Sequence, residues 1–262
     1  MRKLIYIAFG LVLIFTGIGF ALLKTEDGFA AASFVWAKLR GGYTVEERLQ
    51  MHGANVEAIL KPKFAIANVH YPPFELAYLA FKSEEKLEVH ARSNPEEPWH
   101  WIHTYPILGM SGKLGPKLRE GDMQVPEGIY RCEFLNANSR FHLSIRLNYP
   151  NEFDRKRGQE NGRSNLGSDI MIHGTTSSIG CLAMGNQAAE ELFILAAVSG
   201  KDNVMIVVSP VDFRRRNLTP ENRHPDWLND LYLDLKNKLN EFPLPPHPNK
   251  SVQETGTVRR DD

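Results

Sequence analysis

The sequence lacks an excess of charge of either sign. Its 262 residues include 31 lysines and arginines against 31 aspartates and glutamates, and no concentrated basic run is present. Because a nucleic-acid-binding protein neutralises phosphates with a basic surplus or a basic face, this balance argues against nucleic acid as a partner. With 42% hydrophobic and 24% charged residues, the chain is expected to fold as a globular protein.

Cysteine is scarce, since only Cys132 and Cys181 are present. Two thiols in an oxidising compartment can form a disulfide, but we expect Cys132, in a strand pattern, to be a buried free thiol. A zinc site is disfavoured because no further Cys or His stands near Cys181 at the usual ligand spacing, and His103, His142 and Cys132 would have to come from distant strands. We therefore expect neither a metal nor a cofactor.

A long uncharged run, Leu4 to Leu23, follows the basic residues Arg2 and Lys3. A helix of about 20 residues spans roughly 30 Å, the thickness of a bilayer's hydrocarbon core. The basic end should stay in the cytoplasm, so the rest of the chain is expected to be translocated. Both an uncleaved signal anchor and a cleaved signal peptide, with its cleavage site at residues 30–32, fit this pattern. Either one predicts an extracytoplasmic protein, and the uncleaved anchor also predicts N-terminal contact with the inner membrane.

The remaining pattern predicts a mainly β domain with an inserted helix, followed by a C-terminal helix. We divide the chain into a signal segment (1–23), a partly helical connector (24–63), a central domain (64–210) and a C-terminal extension with one helix and a disordered tail (211–262).

Helices are predicted at three places. Thr44 and Glu47 form a capping-box pattern at the start of the first, over 44–60, which Gly53 should interrupt and Pro62 should end. The second runs over 187–198 with Asn186 as its N-cap, and the third over 225–242.

Strands are predicted by alternation or by short apolar runs. Residues 76–81 and 87–91, separated by the turn residues 83–85, have the form of a β-hairpin. The other predicted strands are 100–108, 128–134, 141–147, 169–173 and 204–209.

The segment from Ser168 to Gly185, SDIMIHGTTSSIGCLAMG, carries the candidate chemistry. It places His173 at a strand end and Cys181 on a small-residue loop that folds back towards it. A thiol attacks as its thiolate, and a neighbouring imidazole can take its proton, so Cys181 would react with iodoacetamide near neutral pH faster than a free thiol of pKa about 8.5. A backbone carbonyl such as that of Gly174 would orient the ring, and backbone N–H groups around Cys181 could hold an oxyanion. Residue types alone leave catalysis, a zinc site and purely structural roles open.

The run IHG–SIGC–AM, together with the upstream YPILGMSGKLGPKLREGDMQVPEGIYRC, resembles the L,D-transpeptidase (YkuD) catalytic-domain family and, within it, the YafK-like murein enzymes. The resemblance covers roughly residues 74–210. It implies a YkuD-like β-sandwich and a periplasmic enzyme that acts on peptidoglycan stem peptides. In this family a Cys at the place of Cys181 forms an acyl-enzyme, a His at the place of His173 is the general base, and a carbonyl at the place of Gly174 orients it.

The resemblance also suggests which residues contact substrate. Gly180 and the residues flanking the Cys, here Ser178 and Leu182, correspond to the oxyanion and substrate-binding positions. Arg163 lies in a Gly/Asn-rich loop that could border the cleft. For Lys113, Lys117 and Arg119 a solvated loop is favoured over substrate contact.

The chain departs from the common family pattern at three points. Ile179 stands where a second motif His is usual, Ala183 stands where Arg or Asn is frequent, and the loop between His173 and Cys181 is short. The YafK-like branch shares these features, and its activity is release of a lipoprotein from peptidoglycan. The resemblance thus implies a peptidoglycan-linked lipoprotein as a partner and favours hydrolysis, with bond formation still open. The alternatives are a non-catalytic, membrane-tethered peptidoglycan-binding module and a metal-stabilised structural domain.

Overall fold

The computed structural model describes residues 24–219 and 225–246. The predicted membrane segment 4–23 and the end of the predicted disordered tail lie outside these residues. In the described part of the chain, no helix combines the length and the apolar character needed to cross a bilayer. The helices are α1 (Glu26–Leu39), α2 (Val45–Ile66), α3 (Glu152–Glu160), α4 (Asn186–Ser199) and α5 (Leu228–Leu239). The strands are β1 (Glu75–Phe81), β2 (Lys86–Arg92), β3 (His100–Pro106), β4 (Gly128–Ser139), β5 (His142–Leu147), β6 (Met171–His173), β7 (Leu182–Ala183) and β8 (Val204–Ser209).

The strands form one sheet in the order β3-β2-β1-β8-β4-β5-β6-β7, so the chain is mainly β with added helices, as predicted. The expected sandwich is instead a continuous sheet because the long strand β4 serves two neighbours. Its first residues, Gly128 to Arg131, pair with β8, and its later residues, from Cys132 on, pair with β5.

Both faces of the sheet centre are covered. Along β1, Leu76, Tyr78 and Ala80 belong to a core with α2 and α4, whereas Ala77, Leu79 and Phe81 belong to a second core with α5. Since successive side chains point to opposite faces, a strand buried on both sides shows a continuous apolar run rather than alternation. Helix α2, in the predicted connector, therefore packs on the same sheet that carries the candidate site.

Helix α2 starts as predicted, with the capping box of Thr44 and Glu47. It is, however, neither interrupted at Gly53 nor ended by Pro62, and it runs unbroken to Ile66. A glycine costs a helix only about 1 kcal/mol, and the burial of α2 side chains such as Phe64 in the main core offsets such penalties.

Asn186 is not the N-cap of its helix, because α4 begins at this residue and Gly185 takes the cap position without a side-chain hydrogen bond. The Asn186 side chain instead accepts a hydrogen bond from the Thr175 N–H at 2.9 Å and donates one to the Glu26 carbonyl at 3.3 Å. Asn186 thereby connects α1 with the loop that follows His173.

Three elements were not predicted. Helix α1 lies in the connector, where the pattern predicts a helix only over 44–60. Helix α3 is mostly polar and β7 has only two residues, so neither has a clear apolar pattern. Asn151 and Asp154, which form a capping box at the start of α3, were a usable local signal. The hairpin β1–β2, the strand β8 and the C-terminal helix α5 were predicted correctly, with shifts at some ends.

Candidate active site

The candidate base, His173, ends strand β6 and is almost fully buried, at 1% exposure. Its Nδ1 lies 2.6 Å from the Gly174 carbonyl oxygen, which can only accept, so Nδ1 carries the proton and Nε2 keeps a free lone pair. The predicted orienting contact of Gly174 is therefore present. Burial lowers the pKa of His173, against the opposing effect of the Gly174 carbonyl, so the ring stays neutral near pH 7.

The candidate nucleophile, Cys181, directly precedes strand β7. The parallel pairing of Ile172 with Leu182 sets Cys181 opposite Met171. Because side chains alternate between the faces of a sheet, this register puts the side chains of Cys181 and His173 on the same face. Strand pairing between β6 and β7 thus brings the two predicted residues to one site.

The thiol makes its resting contacts with the backbone. Sγ accepts a hydrogen bond from the Met171 N–H at 3.4 Å, and the thiol donates to the Asp169 carbonyl at 3.5 Å. Neither partner is His173. Burial raises the pKa of Cys181, while the Met171 N–H and the charge of Lys117 act in the opposite direction. The resting pair is a neutral thiol and a neutral imidazole.

The loop before Cys181 is held by two serine hydroxyls. The Cys181 N–H donates to Ser178 Oγ at 3.1 Å, and the Gly180 N–H donates to Ser111 Oγ at 2.7 Å. Ser111 in turn donates to the Met123 carbonyl at 2.7 Å. In this state both N–H groups proposed for the oxyanion are engaged, so an oxyanion would have to replace the hydroxyls as their acceptor.

The other predicted substrate positions lie in different surroundings. The Leu182 side chain is fully buried in the main core, so it is not available for contact with a substrate. Arg163 donates to the carbonyls of Leu118 at 2.8 Å and Arg157 at 3.1 Å, which joins the end of α3 to the upstream loop. These bonds give Arg163 a structural role, and its contact with substrate stays a prediction.

The upstream glycine-rich segment forms a loop beside Cys181. The sequence did not predict the structural roles of two residues in this loop. Ser111 was not singled out, although it supports Gly180. Lys117, expected in a solvated loop, is only 8% exposed, and its ammonium donates to Asp122 at 2.6 Å and to the Arg119 carbonyl at 2.9 Å. The carboxylate of Asp122 also accepts the N–H groups of Leu118 and Arg119, which orders the loop around the lysine.

Cys132 is free and buried, as predicted, and burial raises its pKa to about 12. One group with metal-ligand chemistry occurs in the described residues, formed by His52, His142 and Glu190.

Comparison with known proteins finds similarity to the same family that the sequence motifs resemble. Residues 94–208 match the YkuD family model, described as the L,D-transpeptidase catalytic domain. The putative L,D-transpeptidase YafK of Escherichia coli K12 is 36% identical over 161 residues, which cover 60% of this chain and 61% of that protein. The matched part is thus less than two thirds of that relative.

Similarity to solved structures is weaker. The helical cell shape determining protein Pgp2 from Campylobacter jejuni has a TM-score of 0.43 and 21% identity over 62% of this chain and 54% of that one. L,D-transpeptidase 1 from Mycobacterium tuberculosis has a TM-score of 0.30 and 16% identity over 52% of this chain and 62% of that one. At these scores the structural similarity carries no argument about this chain.

Proposed function

We propose, because residues 94–208 match the family model of the L,D-transpeptidase (YkuD) catalytic domain, that the chain is a cysteine-dependent enzyme that acts on peptidoglycan stem peptides through an acyl-enzyme on Cys181. The observation that carries the proposal is the hydrogen bond from His173 Nδ1 to the Gly174 carbonyl, 2.6 Å long. This bond orients the imidazole and leaves its basic nitrogen free, on the same sheet face as Cys181. Of the two cysteines, Cys181 is partly exposed and Cys132 is buried.

The reaction starts from the neutral pair. As substrate binds, His173 Nε2 takes the thiol proton and Sγ attacks the peptide carbonyl carbon. The tetrahedral intermediate collapses, the C–N bond breaks, and the imidazolium returns the proton to the departing amine. Catalytic contacts that are long in a free enzyme often tighten in the complex, so the resting contacts of the thiol with Met171 and Asp169 do not oppose this role.

The fate of the acyl-enzyme decides the product. Water, deprotonated by His173, would release the acid, whereas an amine from a second stem would form a cross-link. We propose hydrolysis, with release of a diaminopimelate-linked protein, because Ile179 replaces a polar motif residue. Its side chain is 75% exposed two positions before Cys181, where the common family pattern has an imidazole.

The test is to incubate the purified full chain with muropeptides and with lipoprotein-linked sacculi, and to identify the products by mass spectrometry. Cys181→Ala and His173→Ala should abolish product formation. Cys132→Ala, which alters the buried thiol alone, is the matched control and should keep it. An unchanged substrate, or equal activity of Cys181→Ala, would leave the non-catalytic binding module as the better hypothesis; cross-linked products would replace hydrolysis by transpeptidation.

We also propose that the chain works outside the cytoplasm, in the periplasm, with helix α1 lying on the membrane surface. Helix α1 packs Ala30 and Ala37 against the protein and exposes Val35, Trp36 and Leu39 at 55%, 63% and 78%. An exposed apolar helix face of this kind suits the interfacial region of a bilayer. Reporter fusions after Lys24 should be active for alkaline phosphatase and dark for a cytoplasm-dependent fluorescent protein; the reverse pattern would contradict export.

A further inference from the structure

Three ligand-type side chains from three separate elements meet behind the candidate active site. His52 lies on α2, His142 begins β5, and Glu190 lies on α4. One Glu190 oxygen is 2.6 Å from His142 Nε2, and the other is 3.3 Å from His52 Nδ1. One ligand atom from each residue lies within 4.8 Å of the other two.

The surroundings of this group favour a bound cation. The His142 side chain is 1% exposed, and those of His52 and Glu190 are 17% and 20% exposed. Arg48 is the nearby competing cation; its Nε is bound to the Ala137 carbonyl at 2.9 Å.

Two buried ring nitrogens in the group have no protein partner. His52 Nε2 and His142 Nδ1 make no hydrogen bond to any of the described residues. A buried polar atom without a partner costs about 1–3 kcal/mol. An ion held by His142 Nε2 and His52 Nδ1 would use the nitrogens that face Glu190, and the two unpartnered nitrogens on the opposite sides of the rings would bind water.

We propose that His52, His142 and Glu190 bind one divalent transition-metal ion of the zinc class. Two imidazole nitrogens and one carboxylate oxygen, with water in the fourth position, form a familiar zinc ligand set, whereas Mg²⁺ and Ca²⁺ prefer oxygen ligands. Ligand atoms about 2.0–2.1 Å from a tetrahedral ion lie about 3.3 Å apart. The 2.6 and 3.3 Å separations involve different Glu190 oxygens, and one ligand atom from each residue lies within 4.8 Å of the others, so side-chain shifts would bring the three donors to one ion.

The ion would have a positioning role, not a catalytic one. Phe141, next to His142, packs against the His173 ring with centroids 4.7 Å apart. A Cβ on Gly174 would lie 3.0 Å from the His142 Cβ, so this corner is tightly packed against the residue that orients the base. The ion would also fix α2 and α4 to this corner. The proposal does not depend on the reaction at Cys181.

The test uses the full chain freed of metal with EDTA and then titrated with Zn²⁺ or Co²⁺. We expect one ion per chain by elemental analysis, intense visible Co²⁺ bands of a four-coordinate site, and a higher melting temperature with Zn²⁺. His52→Gln and Glu190→Gln should weaken binding at least tenfold. His103→Gln, at another half-buried histidine outside the group, is the matched control and should bind as the wild type does.

Two results would overturn the site. One is a wild-type chain that takes up no ion at one equivalent, in which case the group is a metal-free hydrogen-bonded cluster. The other is unchanged binding by both variants. If a variant does not fold, the Co²⁺ spectrum and the melting temperature of the wild type still decide the question, because they need no substitution.

Discussion

At the scale of single residues, the proton that catalysis must transfer lies on the sulfur of Cys181 in the resting site. The thiol of Cys181 faces the Asp169 carbonyl, and the imidazole of His173 is kept neutral by burial and oriented by its contact with Gly174. Burial raises the pKa of Cys181 and lowers the pKa of His173, because it disfavours the charged form of each group. That form is the thiolate of the cysteine and the imidazolium of the histidine. A pair of this kind needs the substrate to start proton transfer.

This electrostatic balance predicts the pH dependence of alkylation. Since burial raises the pKa of Cys181, its thiolate forms at higher pH than that of a free thiol, which titrates near 8.5. In the free enzyme, iodoacetamide should therefore modify Cys181 more slowly at pH 7 than it modifies an unstructured cysteine peptide. This reverses the faster reaction expected from the sequence. Rates measured by mass spectrometry from pH 6 to 10 check it, and a plateau already reached below pH 8 would contradict it.

Lys117 should tune the same thiol. Its charge lowers the pKa of Cys181, against the larger effect of burial. Lys117→Met should therefore slow alkylation at pH 7.5 by roughly two- to fivefold, the size of a partly screened charge interaction of about 0.5–1 kcal/mol. Lys113→Met is the control on the same loop, because Lys113 is exposed. Equal rates for the two variants would remove Lys117 from the electrostatics of the site.

At the scale of elements, local signals were read correctly and tertiary ones were not. The capping box of α2 and the hairpin β1–β2 were predicted because their signals lie within a few residues. The passage of α2 through Gly53 and Pro62 depends on packing against the sheet, and β7 is a strand only because β6 lies beside it. For the same reason the Gly174 contact could be predicted from neighbouring residues, whereas the support of Gly180 by Ser111, far away in the sequence, could not.

The loop beside Cys181 is fixed to strand β1 by one buried ion pair. Lys82 donates to Glu127 at 3.0 Å and to the carbonyls of Gly115 and Val125 at 2.9 and 3.0 Å. The side chains of the pair are 1% and 0% exposed. Glu127 also accepts the Tyr232 hydroxyl of α5 at 3.0 Å, so the pair joins three parts of the fold.

Removing the cation of this pair should therefore be costly. Lys82→Met leaves a buried carboxylate without its partner, which costs about 3–5 kcal/mol of unfolding free energy. Lys61→Met, which breaks an exposed ion pair with Glu57, should cost less than about 1 kcal/mol. Urea unfolding measures both. The double variant Lys82→Met/Glu127→Gln should recover part of the loss, and a double variant as unstable as the sum of its single changes would contradict this explanation.

At the scale of the whole molecule, the sheet depends on the helices that pack on both of its faces. One core lies under α2 and α4 and the other under α5, and the central strands contribute side chains to each in alternation. The predicted mainly β class with an inserted and a C-terminal helix is correct in outline. The single sheet was not predictable from periodicity, because the division of β4 between two neighbours depends on pairing with strands distant in sequence.

The packing of helix α5 on the second face of the sheet gives a prediction with an internal control. On helix α5, Leu235 is fully buried in the second core, whereas Leu233, two residues earlier, is 59% exposed. Leu235→Ala should lower the free energy of unfolding by about 2–5 kcal/mol, since it loses transfer free energy and leaves a cavity. Leu233→Ala should change it by no more than about 0.5 kcal/mol. Urea unfolding monitored by tryptophan fluorescence and by far-UV circular dichroism should give one shared transition for each variant. Separate transitions for the two signals in Leu235→Ala would contradict this prediction. So would a loss of unfolding free energy no larger than that of Leu233→Ala, because either result would mean that the sheet is stable without the packing of α5.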